Sequence, residues 1–286
     1  MDRSNKLILG TVQFGLSYGI NNTAGKVSQA EVSKILAEAK ANNISILDTS
    51  YAYGDSEIVL GALLENDTHF KIISKLPRTT EKPKSIFIET NKRLKKNKLY
   101  GYLIHHFDYF REKPSVWSDI EALKKDGLIE KIGFSLYKTS ELDYLFSQNT
   151  VFDIVQIPYN ILDKAFEPYL KELKHRNVEI HTRSVFLQGL FFKSVNELPE
   201  RLIPLKPYLM MMVEFCKKQG ISMEELALNA VIHHPDIDGV LVGVDNASQL
   251  QKNIKSIWAE IPAKVSGFIN ALDVNEKELL NPVNWN

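Results

Sequence analysis

Four side chains with proton chemistry stand at the ends of short apolar runs. Ile44-Ser-Ile-Leu47 leads into Asp48, and Tyr53 and Gly54 follow in the loop just beyond. Phe70-Lys-Ile-Ile-Ser74 delivers Lys75, and Tyr100-Gly-Tyr-Leu-Ile104 delivers His105. An acid, a phenol, an ammonium and an imidazole at the ends of three successive buried strands form an active-site pattern. A free phenol, with a pKa near ~10, is a reluctant acid or base at neutral pH. A neighbouring ammonium stabilises phenolate and lowers that value, two units corresponding to ~2.7 kcal/mol. Tyr53 and Lys75 are expected to be such a pair, with Asp48 neutralising and orienting Lys75. His105, expected to be uncharged, can hydrogen-bond a substrate oxygen.

The elements that must position these residues alternate along the chain. Strands are expected over Lys6–Gly10, Ile44–Asp48, Lys71–Lys75, Tyr100–His105, Ile132–Ser135, Phe152–Ile157, Val178–Ser184 and Gly239–Gly243. Between them the apolar spacing predicts helices over Ser28–Asn42, Ser56–Leu64, Lys84–Lys95, Val116–Asp126, Thr139–Ser147 and Lys164–Arg176. Further helices follow over Tyr208–Gln219, Ser222–His233 and Ser248–Trp258. Ser28 and Glu31 suit a capping box, Ser56 suits a cap, and Gly127 suits a helix stop. Eight strand–helix units predict an α/β fold, a (β/α)8 TIM barrel with extra C-terminal helices after Pro262, and one domain over 1–286. In such a barrel all the strand ends carrying the four residues open on one face. An open doubly wound sheet is disfavoured, because no Gly-x-Gly-x-x-Gly follows the first strand.

Composition limits the partners. Apolar residues at 44% and charged residues at 24% of 286 are ordinary for a globular chain, and 35 basic residues balance 35 acidic ones. No overall field favours nucleic acid or an acidic membrane, so a small neutral molecule is the expected partner. No signal peptide or membrane-length apolar run is read, and the lone Cys216 offers no internal disulfide, so a cytoplasmic setting is expected. Cys216 lies in an apolar helical stretch and is expected to be a packed thiol. The adjacent pairs His105–His106 and His233–His234 lack metal-ligand spacing, and no metal is expected.

Asp48-Thr-Ser-Tyr-Ala-Tyr-Gly-Asp-Ser-Glu57 resembles the Asp-Thr-Ala-x-x-Tyr-Gly-x-Ser-Glu signature of the aldo-keto reductases. Lys75 and Leu103-Ile-His-His-Phe-Asp108 match that family's later Lys and Leu-x-His-x-x-Asp segments, and the likeness runs from Leu9-Gly-Thr11 to about Asn253. The resemblance implies reduction of an aldehyde, ketone or sugar carbonyl to an alcohol by a nicotinamide cofactor. Asp48, Tyr53, Lys75 and His105 are then the catalytic residues, with Tyr53 as acid–base. Alignment on Asp108 gives His105 the carbonyl. His106 falls where relatives carry a bulky aromatic, which suggests a more polar substrate, and Tyr18 and Tyr51 join it as candidate pocket residues.

For the cofactor, the resemblance implies Gly10 and Thr11 near the nicotinamide, together with Asp48, Ser135 and Gln156. Thr182-Arg-Ser-Val-Phe-Leu-Gln-Gly-Leu190 resembles the family's Ala-Tyr-Ser-Pro-Leu-x-Gln-Gly-Leu, which implies roles for Ser184, Leu187, Gln188 and Gly189. Two departures stand out. Leu136 replaces the Asn expected after Ser135, and Arg183 replaces the Tyr that stacks on the nicotinamide, although a guanidinium plane can also stack or pair with a carboxylate. At the adenosine end, Gly243, Gln249 and Asn253 match contact positions, with Asn253 at the adenine. Gln249 replaces the Arg that clasps a 2′-phosphate, and Lys252 is the nearby cation. NADP(H) is therefore expected over NAD(H), by a narrower margin than with the Arg. The alternatives are a cofactor-binding sensor or regulatory barrel with little turnover, and an aldolase-type barrel using Lys75 as a Schiff-base amine. All four catalytic matches weigh against the first, and Asp48 beside Lys75 against the second. Neither the physiological substrate nor the oligomeric state is encoded in these motifs.

Overall fold

The computed structural model describes residues 3–22 and 24–285. Eight parallel strands close into a barrel: β1 (Leu7–Gly10), β2 (Ile46–Asp48), β3 (Lys71–Leu76), β4 (Leu99–Ile104), β5 (Ile129–Ser135), β6 (Ile154–Pro158), β7 (Glu179–Arg183) and β8 (Gly239–Gly243). Closure is made by β1 on β8, with Leu7 opposite Val240 and Gly10 opposite Gly243. These runs are almost wholly apolar because helices cover the outside while side chains fill the inside. Ile73, Leu103 and Ile154 form the apolar plug of the interior, and the outward residues of the strands meet the helices in a continuous core.

The eight-unit alternation stands as read from the sequence, with local differences. The Ser56 hydroxyl does not cap its helix. Asp55 takes the capping position of Ser56–Leu64, and Ser56 is fully buried, its Oγ donating to the Thr11 carbonyl at 2.9 Å. The stretch expected as one helix over Lys164–Arg176 is a 3-10 turn, Glu167–Tyr169, followed by a short helix, Leu170–His175. Pro168, lacking an N–H, sits in that turn. β6 starts two residues late because the Asp153 carboxylate turns to accept from the Ile132 N–H at 2.9 Å.

Helices Lys206–Gln219, Met223–Ile232 and Ala263–Ala271 enclose a second apolar cluster with Leu187, Leu190 and Phe191 from the loop after β7. Cys216 packs there, and burial pushes its thiol up to about 11. The extra C-terminal elements are the helix Ala263–Ala271 and the 3-10 turns Lys277–Leu280 and Pro282–Trp285. Among the described residues no helix is long and apolar enough to cross a membrane.

A polar cluster closes the N-terminal end of the barrel. The Glu179 carboxylate accepts from Tyr100 OH at 2.7 Å, from Lys131 Nζ, and pairs with His181 Nε2 at 2.6 Å. Gly239 makes room for this: a Cβ there would lie 2.8 Å from His181 Cδ2.

Candidate active site

At the opposite, C-terminal rim, the three strand ends singled out by the sequence converge. Lys75 Nζ, fully buried, lies 2.5 Å from Asp48 Oδ1, 2.9 Å from the Thr49 carbonyl and 3.5 Å from Tyr53 OH. Gln156, from β6 across the barrel, donates to the other Asp48 oxygen at 2.8 Å. The Thr11 hydroxyl fixes the Asp48 carbonyl at 2.9 Å. Asp48 is thus held on three sides, and a buried carboxylate–ammonium pair needs that much satisfaction to be tolerated.

His105 meets Tyr53 edge to face, ring centres 5.7 Å apart. Its Nδ1 lies 3.0 Å from Ser50 Oγ, and Ser50 Oγ already accepts from the Ala52 N–H. With Oγ accepting from Ala52, its hydrogen can donate to Nδ1 in the tautomer in which Nε2 carries the proton. Burial, then the charges of Lys75, His106 and Arg183, push His105 down to about 2, so the ring is neutral at working pH.

Tyr53 departs from the expectation. Burial, and next the charge of Asp48, raise its phenol well above the ordinary value instead of lowering it. Lys75 is committed to Asp48 and Thr49 at short range and reaches Tyr53 only at 3.5 Å. In the folded chain Tyr53 is held as the neutral phenol.

Its position is set by two glycines. A Cβ on Gly15 would fall 1.7 Å from the Tyr53 carbonyl oxygen. Gly54 turns at φ +54, its missing Cβ 2.6 Å from the Gly15 carbonyl. The segment after β1 therefore lies directly on the loop carrying the phenol, which no larger residue at either position permits.

Tyr53 and Asp48 open into a cleft of about 560 Å³ that runs along the C-terminal face from β6 and β7 to the helix after β8. Of the residues assigned to the cofactor by resemblance, Gly10, Thr11, Asp48, Gln156, Arg183, Ser184, Gln188, Gly189, Gly243, Gln249 and Asn253 line it. Ser135 and Leu187 do not. Ser135 is buried beneath Gln156 at the β5–β6 pairing, and Leu187 points into the second apolar cluster. Of the three pocket candidates, Tyr18 is on the wall. Tyr51 turns outward, under the Arg93 guanidinium at 3.9 Å, because the turn from Ser50 to Tyr53 sends the two phenols in different directions. His106 stands exposed, stacked on His105 at 4.6 Å, outside the cleft wall.

The wall is suited to a long polar ligand. Gly10 and Gly243 leave the ends of β1 and β8 bare, and a Cβ on Gly243 would press 2.6 Å from the Gln13 amide. Among the described residues Gln13 Oε1 and Arg183 Nε are buried on this wall without a hydrogen-bond partner, each at a cost in desolvation. Ser184, Leu187 and Gln188 all adopt positive φ (65, 46 and 53), strained backbone in the loop after β7, one of those that edge the cleft. Arg183 stacks on Tyr137 at 4.0 Å and donates to the Leu136 carbonyl at 2.9 Å. No carboxylate pairs with it among the described residues.

The far end of the cleft holds residues that motif matching passed over. Lys252 Nζ lies 2.5 Å from Glu224 Oε1, and Asp245 is held by Gln249 through its N–H at 2.8 Å. Glu224 belongs to a helix remote in sequence from the matched segments, so spacing carried no signal for it. Gln13 and Tyr137 were within matched segments and were missed because neither stands at a position to which the resemblance gives a role.

The Aldo/keto reductase family model matches residues 6–273. L-galactose dehydrogenase of Arabidopsis thaliana is 25% identical over 277 residues, covering 88% of this chain and 85% of that one. An aldo-keto reductase of Bacillus halodurans, solved in its holo form, superimposes with a TM-score of 0.73 at 19% identity, over 95% of this chain and 94% of that one. A Pseudomonas aeruginosa structure assigned to the aldo-keto reductases matches with a TM-score of 0.67 at 23% identity, over 88% of each chain. The closed barrel, the converging strand ends and the match over nearly the whole length give one conclusion: the chain belongs to the aldo/keto reductase family and is an NAD(P)H-dependent oxidoreductase.

Proposed function

We propose that this chain, as one barrel domain in the cytoplasm, reduces the carbonyl of a small hydroxyl-bearing aldehyde, ketone or sugar, with Tyr53 supplying the proton. One observation carries the reading. The Tyr53 hydroxyl faces the cleft as a protonated phenol whose hydrogen bond among the described residues is the long contact to Lys75. Its proton is available to an incoming oxygen.

The nicotinamide ring, when bound, supplies the hydride. The chain does the rest. His105 Nε2 donates to the carbonyl oxygen and sets its approach, which needs the neutral ring. As charge grows on that oxygen Tyr53 hands over its proton, and Lys75 and the nearby Arg183 steady the phenolate left behind. Asp48 and Gln156 keep Lys75 from drifting. Gly10, Thr11, Gln156, Arg183 and Asn253 would hold the dinucleotide along the cleft. A sugar-type substrate is supported by the polar wall at Tyr18 and by the name of the Arabidopsis relative. The expectation of NADP(H) rests on the family's habit of using the phosphorylated cofactor and on Lys252, and that ammonium is bonded to Glu224.

The test is quenching of protein fluorescence by NADH and NADPH, followed by turnover across aldoses, aliphatic aldehydes and ketones. Binding with turnover, best for hydroxylated carbonyls, is expected. Tight binding with no turnover on any carbonyl would move the chain to the sensor class.

A further inference from the structure

The end of the cleft expected to receive the adenosine ribose is built against a phosphate. Lys252, the cation that the sequence offers to a 2′-phosphate, is bonded to Glu224 at 2.5 Å, and the Glu224 side chain is only 14% exposed. Asp245 faces the same space, and no ion pair reaches it among the described residues. It is held by the Asn22 amide at 3.3 Å and by the Gln249 side chain, whose Nε2 donates to it at 3.4 Å.

Helix Ala247–Lys255 begins there, and a helix start ordinarily offers free N–H groups to a phosphate. Here the Ala247 N–H donates to Glu31 Oε1 at 3.0 Å and the Gln249 N–H to Asn246 Oδ1 at 2.9 Å. Glu31 is balanced by Lys34 and Glu224 by Lys252, so Asp245 leaves the region with surplus negative charge. A phosphate, with nearly two negative charges of its own, would have to strip Lys252 from Glu224 and sit beside both carboxylates. A ribose diol does the reverse. It donates hydrogen bonds, and a carboxylate held in place by an ammonium is a strong acceptor for them.

We propose that Glu224, held by Lys252, selects the unphosphorylated dinucleotide, NAD(H), by accepting from the adenosine ribose hydroxyls. This rests on the cleft being the dinucleotide site. It reverses what Lys252 implies when read without its partner. Glu224 is a specificity-determining residue and takes no part in the proton transfer.

Equilibrium titration of NADH and of NADPH, read by fluorescence quenching and separately by the ligand-induced rise in Tm, tests it without recourse to turnover. Wild type is expected to bind NADH about tenfold more tightly than NADPH. Glu224→Gln, which frees Lys252, is expected to move that ratio toward NADPH by about ten- to a hundredfold. Lys252→Ala should weaken NADPH further while NADH holds within a few-fold. Tighter NADPH binding by wild type, or an unchanged ratio in a folded Glu224→Gln protein, would overturn the proposal and leave the dinucleotide reading intact. Failure of wild type to bind either dinucleotide would overturn both.

Discussion

At the C-terminal rim Asp48, Lys75, Tyr53 and His105 share a corner; at the N-terminal rim Glu179, Lys131, Tyr100 and His181 do the same. Each set has a carboxylate, an ammonium, a phenol and an imidazole. They differ in where the hydrogen bonds go. Glu179 is a hub that takes a bond from all three of its companions. Burial opposes its charge, but the bonds from His181, Lys131 and Tyr100 outweigh that and hold it at about 2. Tyr100 is pushed up to about 12, by burial first and then by donating to Glu179. Tyr100, Lys131 and His181 Nε2 all turn to that one carboxylate. At the other rim Asp48 takes Lys75 and Gln156 but neither Tyr53, which lines the cleft, nor His105, whose Nδ1 turns to Ser50. The same functional groups make a structural knot when they converge on one carboxylate, and a candidate site when the phenol is left facing a cleft.

The sharpest way to break the comparison is to delete the two phenols in turn. Tyr53→Phe should lower kcat by about 10²–10⁴-fold or more with dinucleotide affinity nearly constant. Tyr100→Phe should keep kcat and lose stability. More than about a tenth of activity left in Tyr53→Phe would remove the proton from that residue.

The ammoniums come next. Lys75→Met strands a buried carboxylate, at a cost of about 3–5 kcal/mol in unfolding free energy. In protein that still folds, the alkaline limb of the alcohol-oxidation profile should move upward, because loss of a cation favours the neutral phenol. Lys131→Met should leave that profile where it is; two superimposable limbs for Lys75→Met and wild type would make Lys75 structural too. Gly15→Ala, which drives a methyl against the Tyr53 carbonyl, should lower kcat by about a hundredfold in a barrel with unchanged far-UV spectrum.

Acid stability separates the rims more gently. Glu179 has a folded pKa below its unfolded value of ~4.3, so its contribution is full above that pH and is lost as pH falls toward about 2. Wild-type Tm should therefore drop more steeply than that of Glu179→Gln between pH ~4.5 and ~2, and parallel curves would deny Glu179 its role as hub. The smallest effect belongs to the histidines. His105→Ala should weaken productive carbonyl binding, whereas His106→Ala, outside the cleft wall, should leave kcat/KM over a sugar panel within a few-fold; the reverse pattern would exchange their roles.

The barrel was legible because a strand buried on both faces must be apolar throughout, and eight such runs mark themselves. Asp48, Lys75 and His105 were legible because each interrupts or ends such a run. Pairings created by closure were not. Tyr100, Lys131, Glu179 and His181 come from the beginnings of three strands and meet only across the interior. Glu224 reaches Lys252 through helix packing that no local spacing encodes. Tyr51 and Tyr53 look alike in sequence, and only the turn at Ser50 sends one to Arg93 and the other to Lys75. The raised phenol of Tyr53 depends on burial, which a list of neighbouring charges does not contain.

The pairing of Leu7 with Val240 also has a kinetic meaning. It joins the first strand to the last across most of the chain. The entropy of closing so long a loop rises only slowly with length, yet contacts this distant in sequence make folding slow. Until β8 arrives, Gly10 has no Gly243 beside it, and until β6 arrives Asp48 lacks Gln156. An Asp–Lys pair still bathed in water is worth little. During refolding from denaturant, dinucleotide binding should therefore return with the slowest phase, after most helical signal has recovered, and binding that returns with the early signal would show that the cleft can form in an open barrel.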